Sequence, residues 1–271
     1  MPELPEVETT RRGIEPYVTG RRVVRLVVRN PALRWRVTPK LVREFSGQTI
    51  RSVTRRGKYL LLATAAGTAL LHLGMSGSLR IVPATQAADA HDHVDIVLDN
   101  GDCLRLRDPR RFGCLLWTRD DPQKHKLLRD LGPEPLAADF SGDYLFEKSR
   151  GRKRAIRDFL LDSQVIAGVG NIYANEALFA AGLRPARAAG RINREQYARL
   201  AVAIRDTLNR ALKAGGTTLR DFRNGRGEPG YFQLSLKVYG RAGEPCLVCG
   251  TPIRAKRLGQ RSAFFCPKCQ R

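Results

Sequence analysis

No apolar run in this 271-residue sequence is long enough to cross a bilayer comfortably. The longest, Tyr59 to Met75, is broken by Thr64, Gly67, Thr68 and His72, and it reads as two buried strands with a turn near Ala66–Gly67. The N-terminus lacks the basic flank, apolar core and small-residue cleavage site of a secretory signal. A soluble, intracellular protein is therefore expected. Neither internal repeats nor low-complexity tracts are present. Acidic residues are scarce, 26 Asp and Glu against 48 Lys and Arg, and the net charge of +22 makes a polyanion the natural partner. Nucleic acid is the first candidate, and a merely basic surface is the alternative. Cysteine is rare as well. Four of the six lie in the last 26 residues, which argues for a local metal site rather than a disulfide framework. Cys103 and Cys114 stand alone in strand-like runs and suit core packing. Hydrophobic content of 42% excludes wholesale disorder, and the length suffices for two domains with real cores.

The chain opens MPELPE. Residues 5–18 predict a helix, with Pro5 at its start, Glu6 and Glu8 in the first turn, and Val7, Ile14 and Tyr17 as a rough apolar face. From Arg22 to Trp117 β-branched and leucine-rich runs alternate with turn residues, the pattern of antiparallel strands in a sandwich or barrel. Pro and Gly around Gly132–Pro135 mark a boundary. Beyond it, residues 140–150, 153–164, 172–183 and 193–215 carry helix-period apolar positions. A glycine-rich segment, 215–232, predicts a mobile loop.

The tail has the spacing C-x2-C-x16-C-x2-C at Cys246, Cys249, Cys266 and Cys269. Two CxxC knuckles turn four thiolates toward one ion, and a full tetrahedral shell predicts one structural zinc. Between the knuckles a β-hairpin is expected, turning at Leu258–Gly259–Gln260 and decorated by Arg254, Lys256, Arg257 and Arg261. Those charges suit a solvated face or a DNA-contacting one. Gly168, Gly170 and Asn171 precede a helix, where backbone N–H groups can cradle a phosphate, though a plain helix–helix turn has the same look. The basic GRKRAIR upstream suggests a helix-turn-helix-like grip on a DNA backbone. Taken singly, Met75 and Phe112 belong in a core. His91 and His93 flank Asp92 without a nearby cysteine, so a phosphate contact or strand-edge hydrogen bond is expected there rather than a second metal.

MPELPE, RRGKYL, HLGMSGSLR, HDHVD, DPRRFG, GVGNIYANEALF, GGTTLRDF, PGYF, VYGR and the four-cysteine tail occur in that order. Together they closely resemble bacterial formamidopyrimidine-DNA glycosylases, from Met1 to Arg271. The resemblance implies an α+β protein: an N-terminal antiparallel β-sandwich with flanking helices (1–133), a helix-two-turn-helix domain (134–240) and a β-hairpin zinc finger (241–271). It implies excision of oxidised purines from damaged double-stranded DNA, then strand cleavage by β,δ-elimination, by a cytoplasmic, nucleoid-associated bacterial monomer. An endonuclease VIII-type pyrimidine glycosylase and a non-catalytic DNA-binding protein on the same scaffold are the alternatives.

By the same resemblance, Pro2 is the nucleophile once Met1 is removed, and Glu3 is the general acid, although its position also suits a first-turn helix carboxylate. Lys58 assists β-elimination. In a chain with 38 Arg and 10 Lys it is a titratable ammonium where a guanidinium effectively cannot give up a proton. Arg261 serves δ-elimination, and as a permanent cation it orients the phosphate. Met75, Arg110 and Phe112 enter the helix where the base leaves. His91, Arg110, Arg152 and Asn171 contact the strand, Arg152 standing where the family more often has lysine. Thr217 to Tyr231 closes over the flipped base.

Overall fold

The computed structural model describes residues 1–215 and 236–271, so the expected lid, Thr217 to Tyr231, lies outside the described residues. The described chain divides into two compact units, one built from Met1–Arg129 with 212–215 and a second from Asp130–Ala211 and 236–271.

The first unit is a sandwich of two four-stranded antiparallel sheets. Helix α1, Leu4–Val18, begins one residue before the sequence expectation, because Glu3 and Glu6 close a capping box: the Glu3 N–H donates to Glu6 Oε2 at 2.8 Å. Strand β1 (Val23–Val28) and helix α2 (Pro39–Phe45) follow. Then come β2 (Ser52–Arg56), β3 (Tyr59–Ala63), β4 (Thr68–His72) and β5 (Ser78–Pro83), and β6 (Asp92–Leu98), β7 (Asp102–Arg107) and β8 (Cys114–Thr118) complete the set. One sheet runs β1-β6-β7-β5 and the other β2-β3-β4-β8. The apolar run from Tyr59 does fold into two strands, Leu61 opposite Leu70, with Thr64 N–H bonded to Gly67 O at the turn. Alternation sends Val94, Ile96, Leu98, Leu104 and Leu106 inward to meet Leu60, Leu62, Ala69 and Leu71.

The opposite face of β6 and β7 is buried too, and it carries charge. Arg105, 1% exposed, grips Asp95 with two bonds of 2.8 Å, and Arg29 adds a third at 2.6 Å. Burial alone would raise the Asp95 carboxyl, but the hydrogen bonds from Arg105 and Arg29 outweigh it and hold its pKa below the usual range.

The second unit is helical. Helix α3 (Gly142–Ser149) is capped by the Ser141 hydroxyl, which accepts the Tyr144 N–H. Helix α4 covers only Ile156–Leu160, much shorter than the expected 153–164. Its N-terminal flank is drawn off as extended chain, where Ala155 bridges Ala188. Its C-terminal flank turns against the chain at Gly132–Pro133, Ser163 O and Pro133 O accepting the Gly132 and Ala167 N–H groups. Helix α5 (Asn171–Ala180) is buried on nearly every face. Helix α6 (Arg194–Lys213) buries the stripe Tyr197, Leu200, Ile204, Leu208 and Ala211. The tail forms the expected hairpin, β9 (Arg254–Leu258) and β10 (Arg261–Phe265), with Gly259 at φ +55 in its turn. Among the described residues no helix is long and apolar enough to cross a membrane.

Candidate functional site

The first unit gathers Pro2, Glu3, Lys58, Met75, His91, Arg110 and Phe112. Pro2 and Glu3 are buried where α1 begins. Glu3, 3% exposed, is the helix N-cap residue, so its position as a first-turn carboxylate is real, and the dipole of α1 favours negative charge there. The helix is pinned along β2 and does not dangle: Glu8 bonds Arg55 at 3.3 Å, and Arg11 donates to Val53 O at 3.2 Å. Burial would raise the Glu8 carboxyl, yet hydrogen bonds from Arg11 and Arg12 bring it below the usual range.

Lys58 sits in the two-residue turn from β2 to β3, where Gly57 adopts φ +58, a conformation a β-carbon would oppose. Beside it, His72 pairs across the sheet with Tyr59, ring centroids 4.7 Å apart. Its Nδ1 accepts the Gly74 N–H at 2.9 Å. Burial, then the charges of Lys58 and Arg34, draw the His72 pKa down to about 4, so the imidazole is neutral near pH 7. Sequence reading gave His72 no role beyond interrupting an apolar run; its place next to LGMSG in the motif was the available signal.

Met75 and Phe112 are not core residues. They are 40% and 45% exposed, each at the crown of a turn, and the Arg110 guanidinium lies 4.9 Å above the Phe112 ring. The backbones of the two turns pack directly on each other, so that a β-carbon on Gly74 would lie within 2.8 Å of Gly113 and Phe112 backbone. His91 is exposed, whereas His93, on the inner strand β6, is buried with Nε2 2.9 Å from Asp108 O.

The second unit gathers Arg152, Asn171, Arg261 and the four tail cysteines. Arg152 and Arg261 are exposed. Asn171 is half-buried and its amide is committed inward: Nδ2 donates to Ser262 O at 3.0 Å and Oδ1 accepts from Arg157 at 3.2 Å. Arg157 is the residue sequence reading placed wrongly. It belongs to the basic run read as a DNA grip, yet its side chain is fully buried. It donates to Leu258 O at 2.6 Å and Arg261 O at 3.2 Å, holding the turn that presents Arg261. The helix stripe of Ile156, Arg157 and Leu160 was the signal that would have found it. Glu176 is another such anchor, accepting the N–H groups of Lys237, Val238 and Tyr239 at 2.9 Å each.

The sulfurs of Cys246, Cys249, Cys266 and Cys269 lie within 4.8 Å of one another. The Cys249–Cys266 and Cys246–Cys269 separations, 3.5 and 4.0 Å, bracket the ~3.8 Å edge of a tetrahedron with ~2.3 Å zinc–sulfur bonds. Hydrogen bonds from Thr251 draw Cys249 down to about 6, while Cys269 is pushed up to about 12, first by its hydrogen bond to Cys249. Thiols packed this closely cannot all ionise without a cation among them. The geometry and the donor set fit one structural zinc, and Val238 and Ile253 pack a small apolar core around it.

Residues 1–115 match the formamidopyrimidine-DNA glycosylase N-terminal domain, residues 131–223 the H2TH domain of the same enzymes, and residues 243–271 the zinc finger found in FPG and IleRS. Among curated proteins, the formamidopyrimidine-DNA glycosylase of Syntrophotalea carbinolica is 57% identical over 271 residues, all of both chains. The crystal structure of the MutM (FPG) protein from Thermus thermophilus is 41% identical, with a TM-score of 0.89 over 99% of this chain and 98% of that one. Lactococcus lactis Fpg, solved with DNA containing N7-benzyl-Fapy-dG, is 32% identical with a TM-score of 0.93 over the whole of both chains.

Proposed function

The chain belongs to the formamidopyrimidine-DNA glycosylase family, DNA glycosylase/AP lyases of base excision repair, and from that premise we propose how its own residues divide the reaction. The reading rests on the buried Pro2–Glu3 pair at the head of α1, carried on the unit that also holds the Lys58 hairpin. Loss of Met1 converts the Pro2 amide into a secondary amine. Chain-terminal amines titrate near pH 7.7–8 and lysine at about 10.4, so far more of the terminal amine is neutral at physiological pH. The positive end of α1 disfavours a second proton there.

The neutral amine attacks the sugar C1′ of an oxidised purine nucleotide, and the C1′–N9 bond breaks with its electrons on the departing base. Glu3 supplies the proton that opens the sugar ring. The resulting iminium between Pro2 and C1′ draws electrons from C2′ as that carbon loses a proton, and the 3′-phosphate leaves. Lys58 assists this step as a proton donor near the phosphate. A second elimination expels the 5′-phosphate, oriented by the fixed charge of Arg261. Met75, Arg110 and Phe112 fill the space of the extruded base. His91, Arg110 and Arg152 hold phosphates. Asn171 contributes through the backbone at the start of α5, with its side chain steadying the hairpin. Zinc holds the hairpin in shape and takes no part in the chemistry.

The partner is damaged duplex DNA, met by a monomer in the bacterial cytoplasm at the nucleoid. The functional modules divide at 133/134 and 240/241. An endonuclease VIII-type specificity is disfavoured, since the N-terminal match is to the formamidopyrimidine enzymes.

The deciding experiment is borohydride trapping on an 8-oxoguanine duplex, with the adduct mapped by peptide mass. Protein lacking Met1 should give an adduct on Pro2. Protein retaining Met1 should bind an abasic duplex with near-normal affinity, yet give no Pro2 adduct and little excision. Full activity with Met1 retained, or an adduct only on Lys58, overturns the assignment.

A further inference from the structure

Two exposed apolar side chains of the first unit, Met75 and Phe112, stand on different turns, β4 to β5 and β7 to β8. The turns leave adjacent strands, since His72 at the end of β4 pairs with Cys114 at the start of β8. They are in direct backbone contact. A β-carbon on Gly74, at φ +65, would lie 2.4 Å from Gly113 N and 2.5 Å from the Phe112 carbonyl carbon. One on Gly113 would lie 2.6 Å from His72 O. Contact this close holds only if the polar groups between the turns are tied.

One side chain ties them. Asp108, fully buried, accepts the Gly113 N–H on Oδ2 at 2.7 Å and the Ser76 hydroxyl on Oδ1 at 3.3 Å. Each carboxylate oxygen thus serves a different turn. The backbone of Asp108 is fixed in turn: its N–H donates to His91 O at 3.0 Å, and its carbonyl receives the Arg111 N–H at 3.1 Å. The latter bond stabilises Arg111 in a left-handed conformation, φ 55, which sets the direction of Phe112.

We propose that Asp108 is a positioning residue that joins the Met75 and Phe112 turns into one rigid insert, so that both side chains enter a duplex together. The inference rests on reading Met75 and Phe112 as the duplex-entering pair. Without the carboxylate each turn keeps its apolar tip, but ordering the two tips becomes part of the work of extruding a base. A preformed abasic site demands no extrusion, so its cleavage is spared.

The test compares 8-oxoguanine excision with cleavage of a preformed abasic duplex, and follows insertion by fluorescence of 2-aminopurine beside the lesion. Ser76→Ala removes one tie from an accessible turn and should slow excision about fivefold, the effect of one ordinary hydrogen bond. Asp108→Leu should slow it by more than about tenfold, the loss of both ties, and insertion fluorescence should lag in both variants. Asp108→Asn should restore near-normal rates, since its oxygen still accepts from Gly113 and its nitrogen donates to the Ser76 hydroxyl. In a Phe112→Ala background, Ser76→Ala should add nothing. If Phe112→Ala itself slows both substrates alike, the wedge reading has failed. If Phe112→Ala separates the substrates but Ser76→Ala is silent, slows both equally or adds fully to Phe112→Ala, the role of Asp108 is overturned.

Discussion

Replacing Arg157 with leucine removes three hydrogen bonds, to Leu258 O, Arg261 O and Asn171 Oδ1, the last of which keeps a 3.3 Å bond from Asn175 Nδ2. Bonds from a charged donor contribute roughly 1.5–3 kcal/mol each, so the bare sum is several kcal/mol. Two effects reduce it. Leu258 and Arg261 border an open groove of about 490 Å³, lined also by Arg154, Asp162 and Gln260, where water can replace the guanidinium. The buried charge is itself costly: desolvation holds the Arg157 pKa below its usual value, and Nε lies 3.1 Å from Asp158 without the alignment of a hydrogen bond. About 3 kcal/mol of hairpin anchoring remains, equivalent to roughly a hundredfold rise in local opening. Hydrogen exchange at the β9 and β10 amides measures it directly. Arg157→Leu should accelerate those amides about a hundredfold while the β6 and β7 amides of the first unit stay protected. Arg157→Lys, a point charge without the planar fork, should recover only part. Unchanged hairpin exchange in the leucine variant would refute the argument.

Cys249→Ser should lose zinc by atomic absorption and lose DNA binding, while the first unit keeps its thermal transition; normal DNA affinity in the zinc-free variant would contradict a structural role. DNA affinity should fall steeply with salt. With about six phosphates contacted, log K against log salt should slope near about −5, and a flat dependence would remove the positive surface from the binding mode. His72 gives a pH test. Unfolded, it takes up a proton below about pH 6.5, whereas folded it resists until about pH 4. Stability of the first unit should therefore fall as pH drops through that window, by roughly 3 kcal/mol. His72→Asn, which keeps an acceptor for Gly74, should flatten that part of the urea-derived profile, and equal slopes in the two proteins would exclude His72 as its source.

Much of this protein was legible in its order of residues. The cysteine spacing specified the metal site because two knuckles act locally. The apolar run from Tyr59, interrupted at Thr64 and Gly67, specified two buried strands because a short apolar run bounded by turn residues is a local signal. The motif series pointed to the family and to Pro2, Glu3 and Lys58 as candidates. Three matters needed the folded chain. Exposure of Met75 and Phe112 reverses the core placement each residue type suggests, since both stand on connections whose backbones pack against each other rather than on strands facing the core. Arg157, charged and set in a basic run, is interior because strand-like chain on one flank and a turn on the other shorten α4 and point that side chain at the hairpin, 101 residues away from it at Leu258. Asp108 reads as part of DPRRFG, but its two oxygens serve Ser76 and Gly113, 32 residues and five residues distant. Local period and spacing decide which elements form. Which polar group is buried, and against what, depends on partners that only tertiary packing brings within hydrogen-bond reach.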